Sequence, residues 1–382
     1  MINVLFTTNV NDLPNGAAQS MFSLIESLGN NIKPIVLCLS KSKVYDYLVK
    51  HGIECYDIRY PALIDRKYSI LHILIHPWHM HWVKIIRFRY IAKKFLKKEM
   101  SCRKIDIIHS NELTSDFGRY ISKVLKVKHV WHIREYMDMD NHIHGVMCVR
   151  PSELINMVNK ADARVVISNP CRQYWGFKEE NTWTIWDAVC SINDSCYKQE
   201  KQPYILFCSG CVSEGKGARF AVTAFGMSGL YASSKTQLRL KIVGYCPDNY
   251  KQLLITVADN YHCSEYIDFI PVQEDIKPYF ANAMAYVNPS LTEGFGRTTA
   301  EAMFYGCPVV ARASGGTLDL IRHGETGWLF DTEEECAELL KKVCTTYQEQ
   351  IILKAQEFAK QNLSIENYGK KILKIYHKLL NN

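Results

Sequence analysis

The sequence lacks any stretch that is long and apolar enough to cross a membrane. Its longest uncharged run in the N-terminal region covers residues 68–83, and this run contains Pro77 and four histidines. A membrane-spanning helix needs about 20 mostly apolar residues. The basic start of a secretory signal is also missing, since the first lysine is Lys33. We therefore expect a cytoplasmic protein.

The cysteines form neither a disulfide framework nor a metal-binding pattern. There are 14 of them, scattered along the chain, and the only Cys-x-x-Cys is Cys208–Cys211. No second pair stands at zinc-finger spacing, so two thiols at the end of a strand are the favoured interpretation. His72 and His76 have the spacing of one helix face, but Pro77 interrupts it and no acidic residue lies nearby. We predict no metal site.

Composition and charge are those of a folded protein with one basic half. Hydrophobic residues make up 47% of the 382 residues and charged residues 22%, which excludes a disordered chain. Residues 1–200 hold 27 Lys and Arg against 20 Asp and Glu, whereas residues 201–382 hold 19 of each. The first half is therefore predicted to meet a polyanion or an anionic surface. No nucleic-acid-binding module is recognisable, so we expect no nucleic-acid partner.

Short apolar runs alternate with segments of helical periodicity along the whole chain. The predicted strands are Asn3–Thr7, Ile35–Leu39, Ile53–Ile58, Ile105–His109, His129–Ile133, Arg164–Ile167, Ile205–Cys208, Leu238–Val243, Ile267–Ile270, Ala285–Asn288, Val309–Ala311 and Trp328–Phe330. Strands separated by helices predict parallel sheets with helices on both faces. Twelve strands indicate an α/β protein with two Rossmann-like domains of about six strands each.

The two domains are expected to meet near a polar, irregular stretch between Asp187 and Pro203. We place an N-terminal domain at 1–190 and a C-terminal domain at 203–362. Residues 363–382 have apolar residues at helical spacing, and we expect this helix to cross back to the first domain. In open α/β sheets, ligands bind at the carboxyl ends of the strands. The residues that follow each strand are therefore the candidate ligand-binding residues.

The most informative segment is 288–306, in which a strand, a glycine-rich loop and a helix follow one another. Glu293 lies in the loop, where its carboxylate can accept hydrogen bonds from sugar hydroxyls, and Glu301 lies about one turn into the helix. Gly294 and Gly296 allow a ligand to approach the backbone closely. The helix N-terminus suits a diphosphate. The alternative is a plain strand–loop–helix with solvated carboxylates.

Two further strand ends carry small residues. Lys216 stands between Gly215 and Gly217 at a helix entry, where its charge can meet a phosphate, although the Walker A spacing is absent. By itself this pattern is equally typical of a surface turn. Near the N-terminus, Gly16 opens a helix after the first strand, and the Gly-x-Gly-x-x-Gly fingerprint of dinucleotide-binding proteins is missing.

Together these segments resemble the family 4 glycosyltransferases, retaining enzymes of the GT-B fold. The family's Glu-x7-Glu signature is matched by residues 293–301, EGFGRTTAE, and the similarity continues through AMFYGCPVVA to Ala311. Further matches are Gly315-Gly316 and Gly324-Glu325-Thr326-Gly327. The resemblance is dense from about Ile205 to Phe330. In the first domain it depends on Gly16 and on His132-Ile133-Arg134-Glu135.

The resemblance implies the roles of the site residues. Glu293 would contact hydroxyls of the transferred sugar, Lys216 the diphosphate and Glu301 the donor's ribose. His132 would lie near the reacting sugar, and Glu293, Lys216 and His132 form the predicted catalytic set. The donor-binding set is Gly16, Gly210, Lys216, Glu293, Gly294, Phe295, Gly296, Arg297, Thr298 and Glu301. The family often has Arg where Cys211 stands, and Arg297 is a candidate to replace that cation.

The implied reaction moves a sugar from a nucleotide diphosphate, most simply a UDP-sugar, to a hydroxyl of a glycan or lipid-linked glycan. It implies retention of anomeric configuration without a metal or other cofactor, in cell-surface polysaccharide or glycolipid assembly. Two alternatives remain. One is another GT-B enzyme acting on nucleotide sugars, of the epimerase or phosphorylase type. The other is a non-enzymatic polyanion-binding protein.

The segment Lys84–Lys104 holds nine basic residues and one acidic residue. Ile85, Phe88, Ala92, Phe95 and Leu96 fall on one helical face, which is typical of an interfacial helix on anionic lipid. We predict peripheral attachment to the cytoplasmic face of a membrane through Lys93, Lys94, Lys97 and Lys98, with Phe88, Phe95 and Leu96 inserting. The alternative is a solvated helix whose apolar face packs on its own domain.

Overall fold

The computed structural model describes residues 1–13, 15–38, 40–58, 78–100, 103–136, 151–232, 237–346 and 348–381, and only the backbone of 78–85, 88 and 151. The chain divides into two units. The first comprises Met1–Trp186 and Tyr368–Asn382, and the second comprises Asp187–Asn367. The side chains of His72, His76, His79 and His81, for which we predicted no metal site, lie outside the described part of the structure.

In the described part of the first unit, seven strands form one parallel sheet. The strands are β1 Ile2–Thr8, β2 Ile32–Cys38, β3 Glu54–Asp57, β4 Ile107–Ser110, β5 Lys128–Ile133, β6 Ala163–Val166 and β7 Thr182–Thr184. Their order is β3-β2-β1-β4-β5-β6-β7, and every neighbouring pair is parallel. The helices are α1 Gly16–Leu28, α2 Lys43–Lys50, α3 Trp78–Phe95, α4 Phe117–Leu125, α5 Pro151–Val158 and α6 Asn169–Trp175.

The described part of the second unit repeats this architecture with six parallel strands. They are β8 Gln202–Cys211, β9 Arg239–Tyr245, β10 Ile267–Ile270, β11 Ala283–Asn288, β12 Val309–Arg312 and β13 Trp328–Phe330, in the order β10-β9-β8-β11-β12-β13. The helices are α7 Ala218–Ser228, α8 Asp248–Asp259, α9 Lys277–Asn282, α10 Arg297–Phe304, α11 Thr317–Leu320, α12 Glu333–Thr345, α13 Glu349–Asn362 and α14 Ile365–Leu380.

Both sheets have the strand order of a Rossmann fold, as predicted from the alternation of strands and helices. Each of the twelve predicted strands overlaps an observed strand. One observed strand, β7, was not predicted, because its sequence Thr-Trp-Thr lacks the apolar run that marks the other twelve strands. It is a three-residue strand at the edge of the described sheet, where β6 is its only neighbour among the described strands.

The last helix, α14, packs into the first unit from Tyr368 onwards. Its inner face carries the buried side chains of Ile372, Ile375 and Tyr376. A Cβ atom added at Gly369 would lie 2.2 Å from the carbonyl oxygen of Ser27, so only glycine permits this close approach to the end of α1. A chain segment that begins 182 positions after Trp186 thereby contributes to the core of the first unit.

The basic helix α3 corrects one prediction about the membrane. Leu96 is buried, together with Ala92, in the hydrophobic core of the first unit, and Phe95 packs against that core with its ring edge-on to Tyr56. The expectation that Phe95 and Leu96 insert into lipid is therefore wrong, because folding buries Leu96 in the core and packs the partly buried Phe95 against it. The side chain of Phe88 lies outside the description.

The basic residues of α3 and of the π-helical turn Leu96–Met100 that follows it remain on the surface. Lys93, Lys94, Lys97 and Lys98 are all exposed, and so are Ile86 at 63% and Tyr90 at 67%. None of the helices in the described part of the chain combines the length and apolar character that a membrane span requires.

Candidate functional site

The candidate site of the second unit lies where the strand order reverses. The reversal falls between the neighbouring strands β8 and β11, at the centre of the sheet. In doubly wound sheets, ligands bind outside the carboxyl ends of the strands at this point. The two loops that leave these ends are 212–217 and 289–296. They contain Lys216 and Glu293 respectively.

Lys216 is held in a tight turn between β8 and α7. Its backbone N–H donates to the carbonyl of Ser213 at 3.2 Å, and Gly217 follows with a φ of +74°. A Cβ atom at Gly217 would lie 2.2 Å from the carbonyl oxygen of Pro289. Glycine is required here both by the backbone conformation and by the close approach of the other loop.

The two loops are joined by hydrogen bonds. The N–H of Leu291 donates to the carbonyl oxygen of Gly215 at 3.1 Å, and the hydroxyl of Ser290 donates to the same oxygen at 3.4 Å. The N–H of Gly316 donates to the carbonyl oxygen of Glu293 at 2.6 Å. These hydrogen bonds fix the backbone of both loops and therefore the positions of the Cα atoms of Lys216 and Glu293.

These side chains meet. Nζ of Lys216 lies 3.4 Å from Oε2 of Glu293, and the side chains are 42% and 15% exposed. Ion pairs of this exposure contribute only about 0–1 kcal/mol to stability. A ligand can therefore replace the pair at little cost. The arrangement offers an anionic ligand a cation and offers its hydroxyl groups a carboxylate acceptor, a few ångströms apart.

Helix α10 starts beside this pair without a side-chain cap. Its N-cap residue is Gly296, at a φ of +95°. Strand β11 fixes the first turn, since the Tyr286 hydroxyl bonds to Oγ1 of Thr298 at 2.6 Å and Nδ2 of Asn288 to Oγ1 of Thr299 at 2.9 Å. The N-terminal N–H groups and the positive end of the helix dipole suit an anion at this place.

Glu301, one turn into α10, pairs with Arg297. Oε1 of Glu301 lies 3.1 Å from Nε of Arg297, and the two side chains are 15% and 21% exposed. Burial raises the pKa of Glu301, and the charge of Arg297 opposes that rise. The guanidinium also donates to the carbonyls of Ala188 and Val189. Arg297 is thus engaged away from the Lys216 loop, where it was considered as a replacement for the missing cation at Cys211.

The other predicted donor-binding residues of the second unit lie at the end of β8 and in the loop that carries Glu293. Gly210 lies exposed near the end of β8, next to the exposed Cys211. Gly294 is half-buried, and Phe295 is buried below it. A Cβ atom at Gly316 would lie 2.5 Å from Cα of Phe295, so the glycine pair 315–316 packs directly on the loop that carries Glu293.

Replacing Gly315 with Ala is expected to destabilise the second unit. The residue has a φ of +50°, and its Cβ atom would lie 2.1 Å from the carbonyl oxygen of Glu293. A positive φ costs a non-glycine residue about 1–2 kcal/mol, and the overlap adds to that cost. We expect a fall in the free energy of unfolding of about 2–3 kcal/mol by chemical denaturation.

The matched control is Gly324→Ala. Gly324 also has a positive φ, +77°, but a Cβ atom there meets nothing within 4 Å. It should lose only the conformational part, about 1 kcal/mol. Equal losses for the two variants would show that the contact between residue 315 and Glu293 does not shape the loop.

In the first unit, the predicted residues are Gly16, at the start of α1, and His132, near the end of β5. Gly16 is the exposed first residue of α1, whose N-terminus is capped by Oδ1 of Asn15. His132 lies in β5, and its side chain is fully buried. Its Nδ1 is 3.3 Å from Nε2 of His109 and 3.2 Å from the guanidinium of Arg134. Burial, with the charge of Arg134, lowers the pKa of His132 well below its usual value.

Sequence reasoning missed the buried polar network around these histidines. His109 bonds through Nδ1 to the hydroxyl of Tyr376 on α14 at 2.7 Å, and Arg134 donates through Nε to the carbonyl of Asn111 at 2.8 Å. Glu112 accepts from Nδ2 of Asn111 at 2.9 Å, and burial raises its pKa to about 7. Polar residues directly after the apolar strand β4 were the available signal, at Asn111 and Glu112.

Among the residues that the structure describes, no three His, Cys, Asp or Glu side chains come together as a metal would require.

The strand orders, the paired units and the glycine-rich strand ends define the fold as that of the GT-B glycosyltransferases. Residues 193–363 match the family model of glycosyl transferases group 1. The matched range lies within the second unit, Asp187–Asn367, and covers less than half of the whole chain.

Individual proteins with similar sequences are also described as glycosyltransferases or as containing a glycosyltransferase domain. An uncharacterized glycosyltransferase of Methanocaldococcus jannaschii, MJ1607, is 23% identical over 321 residues, which cover 81% of this chain and 75% of that protein. A glycosyltransferase 1 domain-containing protein of Xenopus tropicalis is 34% identical over 96 residues, 25% of this chain. The matched segment spans only 28% of the length of the Xenopus protein.

Solved structures share the fold over the whole chain. Alr3699/HepE of Anabaena, crystallised in complex with UDP and glucose, superposes with a TM-score of 0.76 at 17% identity. The match covers 99% of this chain and 100% of that one. At this identity the likeness establishes the fold alone.

Proposed function

We propose that the protein is a retaining glycosyltransferase that moves a sugar from a nucleotide-diphosphate sugar to an acceptor hydroxyl. The observation that carries this proposal is the Lys216–Glu293 pair, 3.4 Å apart at the switch point of the sheet and beside the uncapped start of α10. A cation, a helix N-terminus and a carboxylate acceptor together match a diphosphate that is joined to a sugar. The Glu-x7-Glu resemblance and the family match of residues 193–363 support it.

The proposed roles follow from the chemistry of each group. Lys216 and the N–H groups of residues 294–297 bind the diphosphate, whose charge increases as the bond to the sugar breaks. Fixed positive charge at that place lowers the barrier, and such electrostatic stabilisation is commonly the largest catalytic contribution. Glu293 accepts hydrogen bonds from hydroxyls of the transferred sugar. Glu301 accepts them from the ribose.

The proton of the acceptor hydroxyl goes to an oxygen of the departing phosphate in this proposal. The oxygen of the acceptor forms its new bond on the face of the sugar from which the diphosphate leaves, which retains the configuration. Glu293 is then a hydrogen-bond acceptor rather than a nucleophile. His132, fully buried between His109 and Arg134, is assigned to positioning the strand ends of the first unit instead of touching the sugar.

The activity is tested with a panel of UDP-, GDP- and ADP-sugars. We expect release of one nucleoside diphosphate, with UDP as the first choice since a protein of the same fold was crystallised with UDP and glucose. Proton NMR of the earliest sugar product should show the anomer of the donor. An inverted product would rule out the retaining mechanism, and release of nothing from any donor would rule out the transferase.

Transfer is predicted to be independent of divalent metal ions. Lys216 and the α10 N-terminus supply the positive charge that metals provide in other transferases. The rate in excess EDTA should equal the rate with added Mg²⁺ or Mn²⁺. A strict requirement for a divalent ion would mean that the charge on the diphosphate is neutralised in another way.

The acceptor in this proposal is a glycan or lipid-linked glycan of cell-surface assembly, and the enzyme works in the cytoplasm at an anionic membrane. Ile86, Tyr90, Lys93 and Lys94 are exposed at helical spacing on α3, and the exposed Lys97 follows in the π-helical turn Leu96–Met100. One face therefore presents both apolar and basic groups. Ile86 and Tyr90 replace Phe95 and Leu96 as the residues that reach the lipid.

Vesicle binding tests this attachment. Each Lys or Arg near an anionic leaflet contributes about 1 kcal/mol, so four charge reversals should abolish binding. We expect wild type, but not the variant with Glu at positions 93, 94, 97 and 98, to sediment with vesicles that contain phosphatidylserine. Binding should weaken as salt rises, because surface charges are screened.

The control variant reverses four lysines on α12 and α13, at positions 341, 342, 354 and 360. It has the same net charge as the α3 variant and should still sediment. Equal sedimentation of all three proteins, or no binding of wild type at low salt, would contradict attachment through α3.

A further inference from the structure

Arg297 connects the candidate ribose-binding residue to the start of the second unit. Its Nε lies 3.1 Å from Oε1 of Glu301. Its two terminal nitrogens donate to the carbonyl oxygens of Ala188 and Val189 at 3.2 and 3.4 Å. The guanidinium is planar and carries its donors in a rigid fork, so these contacts fix both its position and its plane.

The two carbonyls belong to a segment that is itself held in place. The chain enters the second unit at Asp187 and leaves it after Asn367. The N–H of Val189 donates to the carbonyl of Leu363 at 3.2 Å, and the N–H of Ile365 donates to the carbonyl of Cys190 at 3.0 Å. The entering and leaving segments thus pair with each other through backbone hydrogen bonds. These bonds hold in place the two carbonyl groups to which Arg297 donates.

Arg297 is the cation that pairs with Glu301. Its carboxylate is 15% exposed, and burial raises its pKa whereas Arg297 opposes the rise. The other titratable groups that face it from neighbouring elements are thiols and phenols: Cys190, Cys208, Tyr286 and Tyr305. Burial raises the pKa of each of them, so they are neutral at neutral pH and cannot replace the guanidinium.

We propose that Arg297 is a positioning residue for nucleotide recognition, holding the Glu301 carboxylate oriented toward the two ribose hydroxyls of the donor. The inference rests on the proposed function, because it takes Glu301 as the ribose acceptor. A carboxylate has about four lone-pair sites. One is used by Arg297, and the others remain for the 2′- and 3′-hydroxyls. An acceptor that is already oriented costs less to order when the ligand binds.

The test compares UDP with 2′,3′-dideoxy-UDP, which lacks both hydroxyls, by titration calorimetry on the full chain. Wild type should prefer UDP by at least about tenfold, the scale of hydrogen bonds to a charged acceptor. In Arg297→Met this preference should fall below about threefold, while the affinity for dideoxy-UDP changes little. A merely structural defect would weaken both nucleotides and leave their ratio unchanged.

Two further variants make the result specific. Arg297→Lys keeps the charge but cannot bind the carboxylate and both carbonyls, so its preference should lie below wild type even if the Met variant does not fold. Arg239→Met removes an arginine that pairs with Asp268 elsewhere in the same unit, and it should keep the wild-type preference.

The outcomes separate this inference from the proposed function. Wild-type preference in Arg297→Met or Arg297→Lys would overturn the role of Arg297 and leave the donor site intact. The same loss in Arg239→Met would overturn it too, since the effect would not be specific. A wild-type protein that binds both nucleotides equally would refute the ribose role of Glu301 itself.

Discussion

Replacing Lys216 with Ala is expected to lower kcat for sugar transfer by about 10²–10³, the usual loss when one fixed electrostatic donor is removed from a transition state. The ammonium group lies beside Glu293, where the departing diphosphate is placed in our proposal. Its side chain is 42% exposed, so the substitution removes little packing and the melting temperature should hardly change. The measurement is the initial rate of UDP release at saturating donor.

Lys341 provides a closely matched control. It is also 42% exposed and also pairs with a carboxylate, Glu338, at 2.7 Å, but it lies on α12. Lys341→Ala should retain the wild-type kcat. If Lys216→Ala retained it as well, Lys216 would not stabilise the leaving group, and the N-terminus of α10 would be the remaining source of positive charge at the loops.

Glu301→Ala is expected to weaken UDP binding by about 1.5–3 kcal/mol, or roughly 10- to 150-fold. The ribose hydroxyls lose a charged acceptor, and Arg297 keeps its two backbone carbonyls as partners. Because the ribose does not react, the contact is made equally in the ground state and the transition state. The loss should therefore be found in KM and Kd, with kcat at saturation less affected.

Asp268→Ala serves as the control for this substitution. Asp268 is a half-buried carboxylate of the same unit, paired with Arg239 through two hydrogen bonds on the neighbouring strand β9. Its loss should leave UDP affinity unchanged. Unchanged affinity in Glu301→Ala would remove the residue from the donor site.

The fold could be predicted from local patterns because parallel strands are buried on both faces. Such strands read as short apolar runs, as in β1, where six of seven residues are buried, and β11, where five of six are buried. The short edge strand β7, in which only Thr182 is buried, carries no such signal. The partner of the apolar residues around α3 could not be predicted from the sequence, because their spacing suits a lipid surface and a protein core equally. The structure shows that Leu96 packs in the protein core.

The site was predictable where it lies at strand ends and not where it depends on distant contacts. Lys216 and Glu293 each follow a central strand, so the sheet brings them together. The binding of Arg297 to the carbonyl of Ala188, 109 positions earlier, involves a backbone group and leaves no mark in the sequence. The hydrogen bond from His109 to Tyr376 spans 267 positions and depends on where α14 packs.

Titration of the full chain with UDP in a buffer that contains EDTA tests the central claim most directly, since it asks whether the second unit is a nucleotide-diphosphate site. The account predicts saturable binding of one UDP per chain, displaced by the corresponding UDP-sugar and weakened in both Lys216→Ala and Glu301→Ala, with Lys341→Ala unchanged. Absence of saturable binding for UDP, GDP and ADP alike, or binding that neither substitution alters, would contradict it.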